Sequence, residues 1–293
     1  SDWRPGFNVS VRHFKELFSF GINLLGIRIL EFFNVRSDDF LIGYFLGPVA
    51  LGYYTVAYKL LLIMLQLLTT VTVKVALPTF SRLQEKPERM RQGFYQVTQL
   101  TSLISFPMFL GMATLAPELV PVLFGKQWIP SIPVMQILAF IGILISVNHF
   151  TSTVIMAMGK PSWMLKLSCI SSVINVVGFA IAVRWGIAAV AAVYVIRGYL
   201  LSPLHFLAVQ KLIRIQLKPY LSQLLAPIVG SIGMVVIIVG TKYYLHSLLN
   251  MFALLTVCVL IGILIYGIIV FMIAPKLLQQ ALNIASSSFT KST

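Results

Sequence analysis

Acidic residues are scarce in this chain. Only 8 of its 293 residues are Asp or Glu, against 22 Lys or Arg, and no acid follows Glu118. Charged residues make up 10% of the sequence and hydrophobic residues 58%. A soluble globular domain carries about 25% charged residues, so that class is excluded. Cysteine is nearly absent as well. Cys169 and Cys258 stand far apart inside apolar runs, which excludes a disulfide framework, a cysteine metal site and a redox centre. Long polar intervals are missing too: the longest between two apolar runs is the 18 residues from Ala116 to Pro133. That leaves no room for a soluble catalytic or nucleotide-binding domain. There is no phosphate-binding Gly-rich loop, no HExxH and no defensible Ser/His/Asp set. His13, His149, His205 and His246 are scattered. The basic residues are spread over short loops rather than gathered on one soluble face, which argues against nucleic acid as a partner.

What remains is apolar sequence in long runs, and it predicts an all-α, polytopic membrane helix bundle. We place spans at about 17–45, 51–77, 94–115, 134–158, 162–183, 187–209, 221–239 and 248–274, eight in all. Residues 1–16 read as a cytoplasmic lead-in and 275–293 as a cytoplasmic tail. The turns fall at Gly47-Pro48, Gly159-Lys160-Pro161 and Arg184-Trp185-Gly186, with Ala116 to Pro133 as an interfacial connector. Pro107 and Pro203 are expected kinks. Loops on the N-terminal side hold about 14 Lys or Arg and the opposite loops about 3, namely Lys126, Arg184 and Lys242. The positive-inside rule then puts both termini in the cytoplasm.

Against this background the charge within the spans stands out. An ionisable side chain at membrane depth costs a few kcal/mol or more and normally faces a bundle interior or a wet cavity. On one helix, Arg28, Glu31, Arg36, Asp38 and Asp39 share an arc of roughly 160°, while Leu30, Phe33 and Phe40 occupy the other side. Arg28 and Glu31 are spaced to pair at i, i+3. Lys59 and Lys74 lie on the second span, about 22 Å apart along the helix, near enough to its ends to snorkel. Arg197 has no acid near it in sequence and needs the first helix, a carbonyl or a ligand. The polar patch Asn148-His149-Phe150-Thr151-Ser152 reads as interhelical hydrogen bonding. Most aromatics read as interfacial anchors and packing. After local pairing the cations are in surplus, which suits a large anionic substrate such as a pyrophosphate-linked lipid and not a cationic drug.

Three stretches carry a resemblance. They are DDFLIGYFLG at 38–47 with Ala50-Leu51-Gly52-Tyr53-Tyr54 and Ala57-Tyr58; LPTFSRLQ at 77–84 running into Pro87-Glu88-Arg89; and APELV at 116–120 with Leu123-Phe124-Gly125 and Trp128. Together they resemble the polysaccharide-transporter (oligosaccharide flippase) branch of the multidrug/oligosaccharidyl-lipid/polysaccharide exporter superfamily. The resemblance implies 14 helices, as two six-helix lobes and two further helices around a central cavity. This chain then corresponds to the second lobe, residues 17–214, and the two C-terminal helices, residues 215–274. The first lobe is the expected partner, supplied by upstream sequence or by a second copy. The implied activity is flipping of undecaprenyl-pyrophosphate-linked oligosaccharide across the bacterial cytoplasmic (inner) membrane by alternating access. It needs no cofactor; a coupling ion, proton or sodium, is left open. In that mechanism Arg28, Lys59 and Arg197 attract the pyrophosphate, Glu31 and Asp38 form switchable pairs with them, and Arg36, Asp39 and Lys74 complete the candidate cavity charges. The alternatives are a multidrug or peptidoglycan-precursor exporter of the same superfamily, or an enzyme such as a polysaccharide polymerase or acyltransferase.

Overall fold

The computed structural model describes residues 11–82 and 87–275. Val11–Arg82 is helical except at Gly47, whose φ of 84° and ψ of 174° break the helix. Glycine adopts this backbone without the steric penalty a side chain would bring. Residues 11–46 form α1 and residues 48–82 form α2. The Tyr54 hydroxyl donates to Asp38 Oδ2 at 2.8 Å across a sequence separation of 16. Along an unbroken helix those residues would lie about 24 Å apart, so the chain reverses at Gly47 and the two helices form a hairpin. Pro48 suits the first position of α2, where its missing N–H has no helical partner.

The chain continues through α3 (Pro87–Leu123), a 3₁₀ connector (Lys126–Ser131), α4 (Ile132–Ala157), α5 (Pro161–Ala182), α6 (Ile187–Ile213), α7 (Leu217–Leu245) and α8 (Met251–Ile273). These are eight helices where eight spans were expected. Seven segments among the described residues are long and apolar enough to cross a membrane. One of them, Arg36–Leu68, contains the reversal at Gly47, so its two arms belong to separate helices. Contacts fix the ends of the bundle. Tyr53 of α2 meets Trp128 of the connector edge-on at 5.9 Å, which puts the hairpin tip beside the α3–α4 turn. At the opposite end the backbone N–H of Gln216, between α6 and α7, donates to the Tyr95 hydroxyl of α3 at 2.8 Å.

Helices α1 to α6 share one core, in which Ile42, Tyr54, Phe109, Leu138 and Phe179 are fully buried. In lipid no hydrophobic drive holds helices together, so close packing and hydrogen bonds must do it. Gly142 illustrates the packing: a Cβ there would stand 2.4 Å from the Phe109 ring, so α3 and α4 approach where only hydrogen fits. Helices α7 and α8 lie against α3 through a smaller cluster of Leu115, Met234, Ile238 and Leu254.

Helix α3 differs from expectation. It runs on to Leu123 through Pro117 and Pro121 instead of stopping near 115. Proline leaves the carbonyl four residues earlier without its helical donor, and at membrane depth that group needs another. Neighbouring helices supply it. The Ala113 carbonyl, freed by Pro117, accepts from Gln136 Nε2 of α4 at 3.1 Å. The Leu103 carbonyl, freed by Pro107, accepts from the Tyr266 hydroxyl of α8 at 2.6 Å. The carbonyl that Pro107 frees is thus satisfied from outside the helix. Helix α7 also outruns its expected end near 239, which brings Lys242 into the helix. Lys242 Nζ lies 2.8 Å from Glu118 Oε1 and donates to the Thr114 carbonyl at 3.0 Å.

Candidate functional site

The charged arc of α1 is split by the hairpin. Asp38 turns inward and is only 3% exposed. Arg36 and Asp39 stay on the outer side, with side chains 64% and 31% exposed, in an i, i+3 pair at 3.4 Å. Arg28 is exposed two turns before Arg36. On α2, Thr55, Lys59, Leu62 and Gln66 are exposed at helical spacing and form a mixed polar face. Arg36 lies about 16 Å and Lys59 about 18 Å along their helices from the reversal, so the two cations sit at similar height on the hairpin. The side chains of Glu31 and Lys74 fall outside the described residues.

From Asp38 a line of polar aromatic side chains leads into the lobe. Asp38 Oδ2 accepts from the Tyr54 hydroxyl, and Oδ1 accepts from the backbone N–H of Asp39 at 3.0 Å. Its partner is therefore a tyrosine, and no ion pair to it is found among the described residues. The Tyr54 ring stacks with Tyr58 at 6.0 Å. Tyr58 meets Tyr194 of α6 at 6.4 Å. The Arg197 guanidinium carbon lies 5.1 Å from the centre of the Tyr194 ring. Arg197 thus stands behind Tyr194, within the lobe and not on the hairpin's outer face. It lines a cavity of about 300 Å³ with Asn148, His149 and Ser152 of α4 and His205 of α6.

Of the predicted residues, the structure leaves Arg28, Arg36 and Lys59 exposed, tucks Asp38 under α2, and sets Arg197 apart in the α4–α6 cavity. Sequence reasoning took the aromatics as anchors and so missed Tyr54, Tyr58 and Tyr194. The available signal was their spacing: Tyr54 and Tyr58 sit at i, i+4 on one face of a helix that also carries a cation. The Asn148 amide reaches Ser202 Oγ of α6 at 3.4 Å, a long bond between the two helices that flank the cavity.

Comparison with known proteins gives this geometry a context. Residues 1–133 match the model of a family described as polysaccharide biosynthesis protein. The teichuronic acid biosynthesis protein TuaB of Bacillus subtilis (strain 168) is 29% identical over 247 residues, covering 82% of this chain and 50% of that protein. The succinoglycan biosynthesis transport protein ExoT of Rhizobium meliloti (strain 1021) is 31% identical over 139 residues, covering 47% of this chain and 28% of that one. The amylovoran biosynthesis protein AmsL of Erwinia amylovora is 27% identical, over 80% of this chain and 61% of its own length. The fold is that of a solved structure titled lipid II flippase MurJ, inward closed conformation, with a TM-score of 0.72 at 16% identity; 93% of this chain superposes on 57% of that one. The chain spans 50% of the length of TuaB and 61% of that of AmsL, less than two thirds of either. The fold defines the class first: this is a multi-pass membrane protein with the helical architecture of that solved structure. Within that class the chain is similar to relatives named for teichuronic acid, succinoglycan and amylovoran biosynthesis, each over part of their length.

Proposed function

We propose that the intact protein flips a lipid-linked anionic oligosaccharide across the bacterial cytoplasmic membrane, from the inner to the outer leaflet, and catalyses no covalent step. The observation that carries this reading is the exposed charged face of the α1–α2 hairpin. Arg28, Arg36 and Lys59 are exposed, with Asp39 half-buried beside Arg36, on a chain that spans about half the length of a relative. Polar groups at membrane depth require a wet or protein-lined surface. A second lobe facing this hairpin encloses them in a cavity, and its cations then meet the pyrophosphate of the lipid carrier. The end of the bundle bearing Arg89, Arg91, Lys160 and Lys211 is cytoplasmic, as the loop charges require, and both termini lie on that side.

Relatives named for teichuronic acid, succinoglycan and amylovoran biosynthesis support a surface-polysaccharide repeat unit as the cargo. The test is a flipping assay on the intact protein in liposomes, with a fluorescent lipid-pyrophosphate-linked oligosaccharide. Arg28→Ala and Lys59→Ala should each lower the rate about 10-fold or more, the loss expected for one charge-assisted contact, while expression and insertion hold. Wild-type rates in both variants would remove the hairpin face from the mechanism.

A further inference from the structure

The α4–α6 cavity is a site the transport reading does not use. Its walls carry a guanidinium, two imidazoles, an amide and a hydroxyl. Arg197 Nε is buried and has no hydrogen-bond partner. Among the described residues no carboxylate forms an ion pair with Arg197, and α4 to α8 contain no acid at all. Arg197 is half-buried, and a partly desolvated cation without a counter-ion is unfavourable unless something supplies the missing charge and acceptors. Tyr194 offers its ring face at 5.1 Å and a side-chain hydrogen bond to the guanidinium, while Nε still lacks an acceptor.

Other polar groups around the cavity are partly committed. Ser152 Oγ donates to the His149 carbonyl at 2.9 Å. His205 Nδ1 lies 3.1 Å from the Leu201 carbonyl, to which it can only donate. The free donor capacity therefore rests on Arg197, the Asn148 amide with its long bond to Ser202, and His149. A planar guanidinium with a free N–H matches the oxygen spacing of a phosphoryl group. About 300 Å³ accommodates such a group and is too small to enclose a whole oligosaccharide.

We infer that this cavity binds a phosphoryl oxoanion, held by Arg197 with Asn148 and His149, at a site within the lobe and separate from the hairpin face. The ligand is either free phosphate or the headgroup of a phospholipid reaching between α4 and α6. The inference does not depend on the identity of the cargo.

The test uses the intact protein, purified in detergent and stripped of lipid. Inorganic phosphate is titrated against chloride at constant ionic strength while thermal unfolding is followed. In parallel, native mass spectrometry follows phospholipid retention after passage through phosphatidylglycerol nanodiscs. Two variants accompany the wild type. Arg197→Gln removes the cation. Asn148→Asp places a carboxylate in the same cavity, gives Arg197 an internal counter-ion and keeps side-chain size, so it covers the case in which Arg197→Gln fails to fold. A free-ion site predicts a saturable rise in midpoint of about 3 °C or more in the wild type, absent from both variants. A headgroup site predicts a retained phospholipid that both variants lose, with no response to phosphate. Neither signal in the wild type, or a signal that survives in either folded variant, overturns the inference.

Discussion

The tip of α3 with α7 and the outer side of the α1–α2 hairpin treat charge in opposite ways. At the first, Glu118 is nearly buried, and Lys242 meets both its carboxylate and the Thr114 carbonyl. The carbonyls freed by Pro107 and Pro117 each find a donor on another helix. At the second, Arg28, Arg36 and Lys59 stand exposed, and the Arg36–Asp39 pair is open to its surroundings. One region consumes its polar groups internally and ties α4, α7 and α8 to α3. The other holds them at an exposed surface. The lesson is that charge count alone does not mark a functional surface: the same residue types are scaffold where they are buried between helices, and candidates for ligand contact where they are exposed.

Breaking the closed region should have the largest effect on stability. Glu118→Leu strands the Lys242 ammonium, and loss of one partner from a buried pair costs about 3 kcal/mol. Adding Lys242→Met should recover most of that loss, read as the thermal midpoint of the intact protein in detergent. A double variant as unstable as the single would show that the pair is not the source. Next comes Tyr54→Phe, which leaves the buried Asp38 carboxylate without its side-chain donor and should cost about 1–3 kcal/mol. Tyr266→Phe should cost less, about 0.6–1.5 kcal/mol. Its cost should fall further in a Pro107→Ala background, where the Leu103 carbonyl regains a helical N–H. An unchanged cost there would mean that the tyrosine does not serve the carbonyl freed by Pro107. Smallest of all is Arg36→Ala, which should move stability by at most about 0.5 kcal/mol, the size expected where an exposed pair is given up.

Much of this was readable in advance. The Gly47-Pro48 reversal, the number of helices and the isolation of Arg197 from acids all follow from local sequence, because turns and apolar runs act over a few residues. The ends of α3 and α7 did not follow. Pro117 reads as a helix stop until Gln136, 19 residues later, is seen to receive the orphaned carbonyl. Lys242 reads as a loop charge until α7 is seen to carry it to Glu118. Asp38 was expected to pair with a cation, and its neighbour is a tyrosine brought back by the hairpin. Each miss is a partner chosen in three dimensions across a helix boundary, which periodicity along one helix cannot reveal. Burial, too, was set by the fold: Asp38 and Asp39 are adjacent in sequence, yet only Asp38 faces the second arm.

The most direct test of the account compares the two regions in one assay. Flipping of a fluorescent lipid-pyrophosphate-linked oligosaccharide is measured in liposomes for the intact protein carrying either Arg28→Ala with Lys59→Ala or Glu118→Leu with Lys242→Met. The account predicts that the hairpin variant loses transport with its thermal midpoint unchanged, while the scaffold variant flips at close to the wild-type rate. Normal flipping in the hairpin variant, with transport lost only when Glu118 and Lys242 are replaced, would contradict it.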